Sequence, residues 1–338
     1  MNQKSLKVVE CSGTPHEMGR QYGEQAWEEI RHNVNLFAVK RPESMLLEMK
    51  HVLDRWAPEI LDELAGMAEG AQVDLYALLA MNCWELNGED ADRCTVVVVH
   101  SPREGILIAK NNDSPPTEDG RFLIRRGKAD GGLPFFQVGY AGSLSGLDMM
   151  NAEGLCNTHG SVGSCFARTG MRLDIRLQLY RLMQRCRNTD ELVAGLNEIP
   201  LTGKGFSIAV ADKRGSSVIL DAAVPFLAVR ARDRAFAYST NLYEYPGMEN
   251  SDMRLPEKRT VCVCRQGYLR WREDNLPPQT LDDLKQLLSS HDPWAPCRHG
   301  GLHKSITDWS MIGLPQTGKL LVAHGSPCNH RYHEYSLS

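Results

Sequence analysis

The 338-residue chain lacks the features that would direct it to a membrane or to nucleic acid. No apolar run approaches the roughly eighteen residues of a membrane span, and the N-terminal stretch MNQKSLKVVECSGT lacks the apolar core of a secretory signal. Lys plus Arg total 38 against 42 Asp plus Glu, so the net charge of -4 provides no positive excess for a polyanion. These absences predict a cytoplasmic protein with neither a nucleic acid nor a membrane as partner.

The cysteines lack the spacing of a disulfide scaffold or of a zinc module. Ten of them are scattered along the chain, which favours reduced thiols. Candidate metal ligands occur in two tail clusters and one pair: Cys297, His299 and His303; Cys328, His330 and His333; Cys262 and Cys264. None contains the CxxC pairs of a structural zinc module, so the sequence predicts no metal. A metalloenzyme built on this tail stays as an alternative, which metal analysis after chelation would decide.

The chain before Cys94 has the patterns of helices. Thr14 is suited to cap the first helix, Pro15 to its first turn, and Glu17 completes a capping box. The helical spacing of this segment continues to Phe37. Further helical patterns cover Ser44–Trp56, Glu59–Met67 and Leu75–Leu86.

After Cys94 the texture changes to strands. TVVVVH, the turn SPREG and ILIAK predict a hairpin of two buried strands. The other strand candidates are RFLIRR, PFFQVGY, FSIAVAD, SVILDA, FLAVRA, AFAYST and KLLVAHG, interrupted by helical patterns at Leu173–Arg187, Asp190–Leu196 and Leu281–Ser289. Strands in runs, separated by helices in blocks, predict an α+β fold in which helical layers cover antiparallel sheets. Length alone permits one large domain or two modest ones.

A cysteine stands on this boundary, in the stretch EDADRCTVVVV. A thiol is activated by a nearby base, and an α-amino group with a pKa of about 7.7 to 8.0 is such a base. This use of Cys94 requires cleavage of the Arg93–Cys94 bond, by attack of the thiol on the preceding carbonyl. The alternative is that Cys94 is a small core residue, because cysteine is among the most often buried residue types.

Five stretches resemble the acyl-coenzyme A:6-aminopenicillanic acid acyltransferase (isopenicillin N acyltransferase) family. These N-terminal-nucleophile enzymes form peptidase family C45 and are distantly related to the choloylglycine hydrolases. The stretches are GTPHEMGRQYG, CTVVVVHSPREGILIAKNND, MNAEGLCNTHGS, YSTNLYEYPGMENSDMRLPEKR, and a tail with HDPWAPCRH and VAHGSPC. They keep the family's order from one end of the chain to the other.

The resemblance implies a four-layer αββα sandwich in one domain, 1–338. Self-cleavage would divide it into a helix-rich pro-segment, 1–93, and a catalytic chain, 94–338, which stay associated. Matched residue by residue, Cys94 is the nucleophile, Asp113 orients the new α-amine or the substrate, and the Asn241 side-chain amide helps to hold the oxyanion. Lys110 and Arg254 resemble arginines of the related hydrolases and are accessory candidates.

One residue departs from the family pattern. The family commonly has glycine before the nucleophile, where a permissive backbone helps to distort the scissile bond, whereas this chain has Arg93. We therefore expect cleavage to be slow or supported by a different geometry.

The sequence thus predicts an enzyme that hydrolyses or transfers acyl groups at amide or thioester bonds of a small molecule, through a thioester on Cys94 and without a cofactor. One alternative is N-acyl transfer from a coenzyme A thioester to a small amine or a β-lactam nucleus. Another is an uncleaved, non-catalytic binding protein. The oligomeric state stays open, with a homo-oligomer among the alternatives.

Overall fold

The structure, a computed structural model, describes residues 5–38, 41–82, 94–166, 172–301 and 305–337. Arg93 and the proposed cleavage junction lie outside these ranges, as does His303. Within the described part of the chain, no helix is long and apolar enough to cross a membrane.

The first helix begins at the predicted capping box. Glu17 N donates to Thr14 Oγ1 at 3.3 Å, and Thr14 N donates to Glu17 Oε2 at 2.9 Å. The predicted helix to Phe37 is two helices, because the backbone at Ala26 leaves the helical region (φ -120°). The helices are α1 (Pro15–Gln25), α2 (Trp27–Phe37), α3 (Glu43–Trp56), α4 (Pro58–Ala71), α5 (Leu75–Asn82), α6 (Ile175–Met183), α7 (Thr189–Gly195), α8 (Pro256–Asn275) and α9 (Leu281–Leu288).

Most strands belong to two sheets. An eight-stranded sheet has the order β1 (Lys7–Gly13), β4 (Phe122–Ala129), β5 (Phe135–Tyr140), β6 (Met149–Asn151), β7 (Cys156–Val162), β10 (Gly205–Ala211), β11 (Ser217–Ala223) and β12 (Phe226–Arg232). A six-stranded sheet has the order β13 (Phe236–Ser239), β2 (Cys94–Ser101), β3 (Gly105–Ser114), β14 (Ile306–Leu314), β15 (Lys319–His324) and β16 (His333–Ser336). A short parallel pair joins β8 (Leu173–Asp174) to β9 (Leu201–Thr202).

Three hydrophobic clusters define four layers. One cluster lies between the sheets, with Val96 and Val98 of β2 facing Ile124 of β4 and Phe136 of β5. A second covers the other face of the eight-stranded sheet with the apolar faces of the helices α1 to α7. A third covers the other face of the six-stranded sheet with residues of α8 and α9 such as Leu269. The predicted α+β fold with αββα layers is confirmed.

Several elements were absent from the sequence-based prediction, among them β1, β14 and α8. Strand β1 lies in the N-terminal part that was predicted as helical, and it pairs with β4 in parallel, contrary to the expected antiparallel sheets. Strand β14 pairs with β3 inside the six-stranded sheet. Helix α8 is also new, and its buried face carries Cys262, Arg265, Gln266 and Leu269. Polar residues on that face hide the helical period of apolar residues on which the prediction depends.

Candidate active site

Cys94 is the first residue of β2, which lies between β13 and β3 in the six-stranded sheet. The predicted hairpin therefore begins at this cysteine. Strands β2 and β3 are antiparallel, with Cys94 opposite Asn112 and Val96 opposite Lys110. Since side chains alternate along a strand, these four residues share the face that looks into the space between the sheets. The side chain of Cys94 is buried, with 5% exposure.

Three contacts fix the backbone and thiol of Cys94. Its N donates to Asn241 Oδ1 at 3.0 Å, and its carbonyl oxygen accepts from Arg265 Nη1. The thiol lies 3.8 Å from Asn112 Oδ1. The nitrogen that self-cleavage would convert into an α-amine therefore already has a fixed acceptor.

Asn241 follows the end of β13 and is fully buried. Its Nδ2 donates to Ser161 O on β7 at 2.8 Å, so the side chain links Cys94 to the other sheet. The approach is close: a Cβ on Gly160 would lie 2.2 Å from Thr240 O. Glycine at 160 thus allows the segment that carries Asn241 to rest on β7. The oxyanion role of Asn241 stays a prediction, since one of its amide hydrogens is already used.

Arg254 holds the same segment from its other side. Its Nη2 donates to the backbone carbonyl of Asn241, and its Nε and Nη2 donate to Asp252 at 2.9 and 2.6 Å. The guanidinium is therefore neutralised by Asp252 while it fixes the Asn241 backbone. This position makes Arg254 a support of Asn241.

Arg265 was missed by the sequence reasoning, although it contacts more of the site than any predicted residue. It projects from α8, is fully buried, and donates to Cys94 O, to Thr95 Oγ1 at 3.2 Å and to Asn241 Oδ1 at 3.4 Å. Its Nη1 also lies 3.9 Å from Asp113 Oδ2. One guanidinium therefore joins Cys94, Asn241 and Asp113.

Asp113 returns to the site but on the opposite face of the sheet from the thiol. It follows Asn112, the residue opposite Cys94, so alternation directs its side chain toward the helical layer. Its Oδ1 accepts from Thr307 Oγ1 at 2.7 Å, and its contact with Arg265 is described above. Burial raises the pKa of Asp113 from 3.8 to about 7, against the lowering effect of Arg265.

Lys110 belongs to a buried charged group on the thiol's face of the sheet. Its Nζ lies 2.8 Å from Asp148 Oδ2 and 3.2 Å from His159 Nδ1, and His159 Nδ1 is 3.1 Å from Asp148 Oδ2. Burial opposes ionisation of Asp148, but Lys110 and His159 hold its pKa below the ordinary range. Burial and Lys110 lower the pKa of His159. Lys110 is thus a paired cation two residues along β3 from Asn112.

The surroundings keep the Cys94 thiol protonated. Burial raises the pKa of this thiol above its ordinary value, and the carboxylates of Asp113 and Asp148 act in the same direction. Lys110 and Arg265 lower it without reversing the shift. A thiol of this kind attacks a carbonyl only when a base removes its proton as it reacts.

The raised pKa of Asp113 predicts a measurable pH dependence of stability. The folded chain keeps this proton between about pH 4 and about pH 7, where the unfolded chain has lost it. As the pH rises across this range, the free energy of unfolding of the wild type should therefore fall relative to that of Asp113→Asn. The expected fall is roughly 4 kcal/mol, because each unit of pKa shift corresponds to about 1.4 kcal/mol. Urea unfolding of both proteins at several pH values measures this difference. A difference that stays constant with pH would contradict the assignment.

The charges that face Asp113 are those of Arg265, Arg298 and Asp308. All of them are retained in Asp113→Asn, so the difference between the two proteins isolates the titration of the one carboxyl group.

The structure brings Cys94, Asp113 and Asn241 together through Arg265, with Arg254 supporting Asn241 and Lys110 near the thiol.

The αββα layers, with a cysteine opening an inner strand, define the fold of an N-terminal-nucleophile hydrolase. Residues 101–260 match the family model described as acyl-coenzyme A:6-aminopenicillanic acid acyl-transferase. The match covers just under half of the chain and begins after Cys94. It confirms the predicted family resemblance and the assignment of the chain to enzymes of the amide hydrolase and acyltransferase type.

The similar solved structures are distant. A mutant of the conjugated bile acid hydrolase from Clostridium perfringens is 8% identical, with a TM-score of 0.44, over 72% of this chain and 97% of that one. A second variant of that hydrolase gives a TM-score of 0.43 with the same identity and coverage. A mutant of Anbu from Hyphomicrobium sp. strain MC1 is 12% identical, with a TM-score of 0.23, over 72% of this chain and 88% of that one. No curated protein matches the chain.

Proposed function

We propose that the chain is an autoproteolytic cysteine enzyme that hydrolyses or transfers acyl groups of a small amide or thioester through a thioester on Cys94. The observation that carries this proposal is the environment of the Cys94 backbone. Its nitrogen is bound by Asn241 and its carbonyl by Arg265, at the start of a buried inner strand. Both side chains are fully buried, and each binds the main chain of the residue whose nitrogen self-cleavage would free.

Self-cleavage follows from the same groups. The Cys94 thiol attacks the Arg93 carbonyl carbon, the bond from that carbon to the Cys94 nitrogen breaks, and the thiol proton passes to the nitrogen. Water then hydrolyses the thioester, which leaves a carboxylate on Arg93 and a free α-amine on Cys94. The hydrogen bond to Asn241 Oδ1 holds that nitrogen throughout. Fragments 1–93 and 94–338 stay in one domain, because β1 remains paired with β4.

Turnover uses the new amine as the base that the protonated thiol lacks. The α-amine takes the thiol proton as Sγ attacks the substrate carbonyl, and it returns the proton to the departing amine or thiol. Asn241 Nδ2, which has one hydrogen besides the one given to Ser161, and backbone N–H groups stabilise the oxyanion. Water or a second amine then attacks the thioester and regenerates the thiol. Asp113 and Arg265 keep the strand ends in place from the helical side, and no cofactor takes part.

The test is a substrate screen read by intact mass. Purified protein is mixed with short amides, N-acyl amino acids, β-lactams and acyl-coenzyme A thioesters, with and without small amines, and is quenched in acid. We expect the mass of one acyl group on a fragment that begins at Cys94, together with a released amine or thiol. A protein that acquires no acyl group from any of these classes, nor from a thiol-directed acylating reagent, would contradict the proposal.

The same mixtures distinguish hydrolysis from transfer. A free acid as product, whatever amine is present, indicates a hydrolase. An N-acyl product that increases with amine concentration, at the expense of the acid, indicates acyl transfer to a small amine or a β-lactam nucleus. Both outcomes pass through the thioester on Cys94, so either supports the proposed mechanism.

A further inference from the structure

Four side chains outside the active site converge near one end of the six-stranded sheet. His291 lies just after α9, Cys297 and His299 lie in the following loop, and Cys328 lies between β15 and β16. Their ligand atoms are all within 4.8 Å of one another. His299 Nε2 is 3.0 Å from His291 Nε2, 3.1 Å from Cys328 Sγ and 3.6 Å from Cys297 Sγ.

The separations from His299 Nε2 lie near those within a tetrahedral zinc site, and the four ligand atoms as a set are within 4.8 Å of one another. With Zn–S bonds of about 2.3 Å and Zn–N bonds of about 2.0 to 2.1 Å, ligand atoms lie roughly 3.3 to 3.8 Å apart. The three distances from His299 Nε2, from 3.0 to 3.6 Å, are close to this range. Two imidazoles and two thiols are also the ligand set of Cys₂His₂ zinc sites.

The loop that carries two of the four residues is fixed on both sides. Cys297 N donates to Ser290 O at 3.2 Å, and His299 forms a bridge to Ile306 at the start of β14. The intervening Arg298 donates its N to Thr307 Oγ1 at 3.0 Å. These contacts hold the main chain of the loop that carries Cys297 and His299.

The loop of Cys328 is attached to the same place. Ser326 Oγ donates to Arg298 O at 3.0 Å, and Asn329 N donates to Ser326 O at 3.0 Å. Ser326 thus ties the turn that carries Cys328 to the residue between Cys297 and His299. The two cysteines come from opposite sides of β14 and β15 in the sequence and are neighbours in space.

We propose that His291, Cys297, His299 and Cys328 bind one Zn²⁺ ion as a structural site. Two thiolates would neutralise the charge of the ion, and four protein ligands leave no open position for a substrate or a water. Binding would release the thiol protons and join the loop after α9 to the turn after β15.

The proposed zinc site would also support the active site, because two hydrogen bonds connect its loop to Asp113. Arg298 lies between two of the ligands, and Thr307, which accepts from Arg298 N, donates to Asp113 at 2.7 Å. A bound ion would therefore hold in place the loop against which the Asp113 end of β3 is packed. The ion itself takes no part in the acyl transfer.

The direct test measures metal in the full chain, purified under reducing conditions from zinc-containing medium without a histidine tag. We expect elemental analysis after gel filtration to find one zinc per chain. Cys297→Ser and Cys328→Ser should each lose most of it, whereas Cys165→Ser, at an exposed cysteine, and His333→Gln, on β16, should retain it. Chelation of the wild type should lower its melting temperature and leave that of Cys328→Ser unchanged.

A second measurement needs no variant. Cobalt added to metal-free wild type should give the visible bands of tetrahedral Co²⁺ with a thiolate-to-metal charge-transfer band, and zinc should abolish them. The proposal is overturned if the folded, reduced wild type retains no zinc and gives no such spectrum. It is also overturned if the zinc is retained by both cysteine variants, or if the resting protein carries a Cys297–Cys328 disulfide.

Discussion

Replacement of Cys94 with alanine should reduce acyl transfer at least about 10³-fold, to the level of the reaction without a covalent intermediate. Alanine keeps the backbone nitrogen that binds Asn241 and the carbonyl that binds Arg265, so the surrounding contacts remain. What disappears is the atom that forms the thioester. The measurement is the rate of amine or thiol release from the best substrate of the screen, with the acyl-enzyme mass as a second readout.

The matched control is Cys264→Ala, at a partly exposed cysteine of α8. Its rate should stay near that of the wild type, because Cys264 lies outside the contacts of the site. A Cys94→Ala protein that is folded and as active as this control would show that another group forms the intermediate, and the mechanism proposed above would be wrong.

Replacement of Glu63 with leucine should destabilise the protein by about 3 to 5 kcal/mol, because it leaves a buried arginine without its counter-ion. Glu63, on α4, pairs with Arg125 on β4, and both side chains are almost fully buried. Tyr180 Oη accepts from Arg125 Nη1 at 2.9 Å and donates to Glu63 Oε2 at 3.1 Å. Urea unfolding compared with the wild type measures the loss.

This pair spans the proposed cut, since Glu63 belongs to 1–93 and Arg125 to 94–338. In a cleaved protein, Glu63→Leu should therefore weaken the association of the two fragments, seen as their separation on gel filtration at a lower urea concentration. The control Glu24→Gln breaks an exposed pair with Arg20 and should cost less than about 1 kcal/mol.

A double variant distinguishes charge from shape. Glu63→Leu with Arg125→Met replaces the pair by apolar side chains, and such replacements are often neutral or stabilising. We expect it to recover most of the stability that Glu63→Leu loses. A double variant less stable than Glu63→Leu alone would mean that the apolar contacts of the pair matter more than the unpaired charge.

Local patterns predicted those parts of the fold that depend on neighbouring residues. The capping box at Thr14 and Glu17 is present, and the strands on either side of SPREG form the expected hairpin. That hairpin brought Asp113 to the strand end where Cys94 lies, which follows from an antiparallel return. Its side-chain direction required the register, because a shift of one residue exchanges the two faces of a strand.

The parts that were missed depend on contacts far apart in the sequence. Arg265 is separated from Cys94 by 171 residues, and nothing near it in the sequence marks it as a ligand of that backbone. Arg265 also made α8 harder to predict, because an arginine at a buried position interrupts the helical period of apolar residues. The signal that could have found it is a charged residue where the period of α8 calls for an apolar one.

The proposed zinc site also depends on contacts between residues that are far apart in the sequence. Spacing along the chain argued against zinc, since no CxxC pair is present. The fold instead combines members of both tail clusters with His291, which belongs to neither. His330 remains apart, with its Nδ1 3.0 Å from Ser326 O. The ligand geometry is thus set by two loops that only the six-stranded sheet brings together.

The intact mass of the purified protein tests the central claim most directly. The account predicts two masses for the wild type, those of 1–93 and 94–338, and a single full-length mass for Cys94→Ala. Arg93→Gly, which restores the small residue common in the family, should yield the two fragments at least as fast as the wild type. A wild type that stays full-length, together with an Arg93→Gly protein that does so too, would contradict self-cleavage and with it the role of Cys94 as an N-terminal nucleophile.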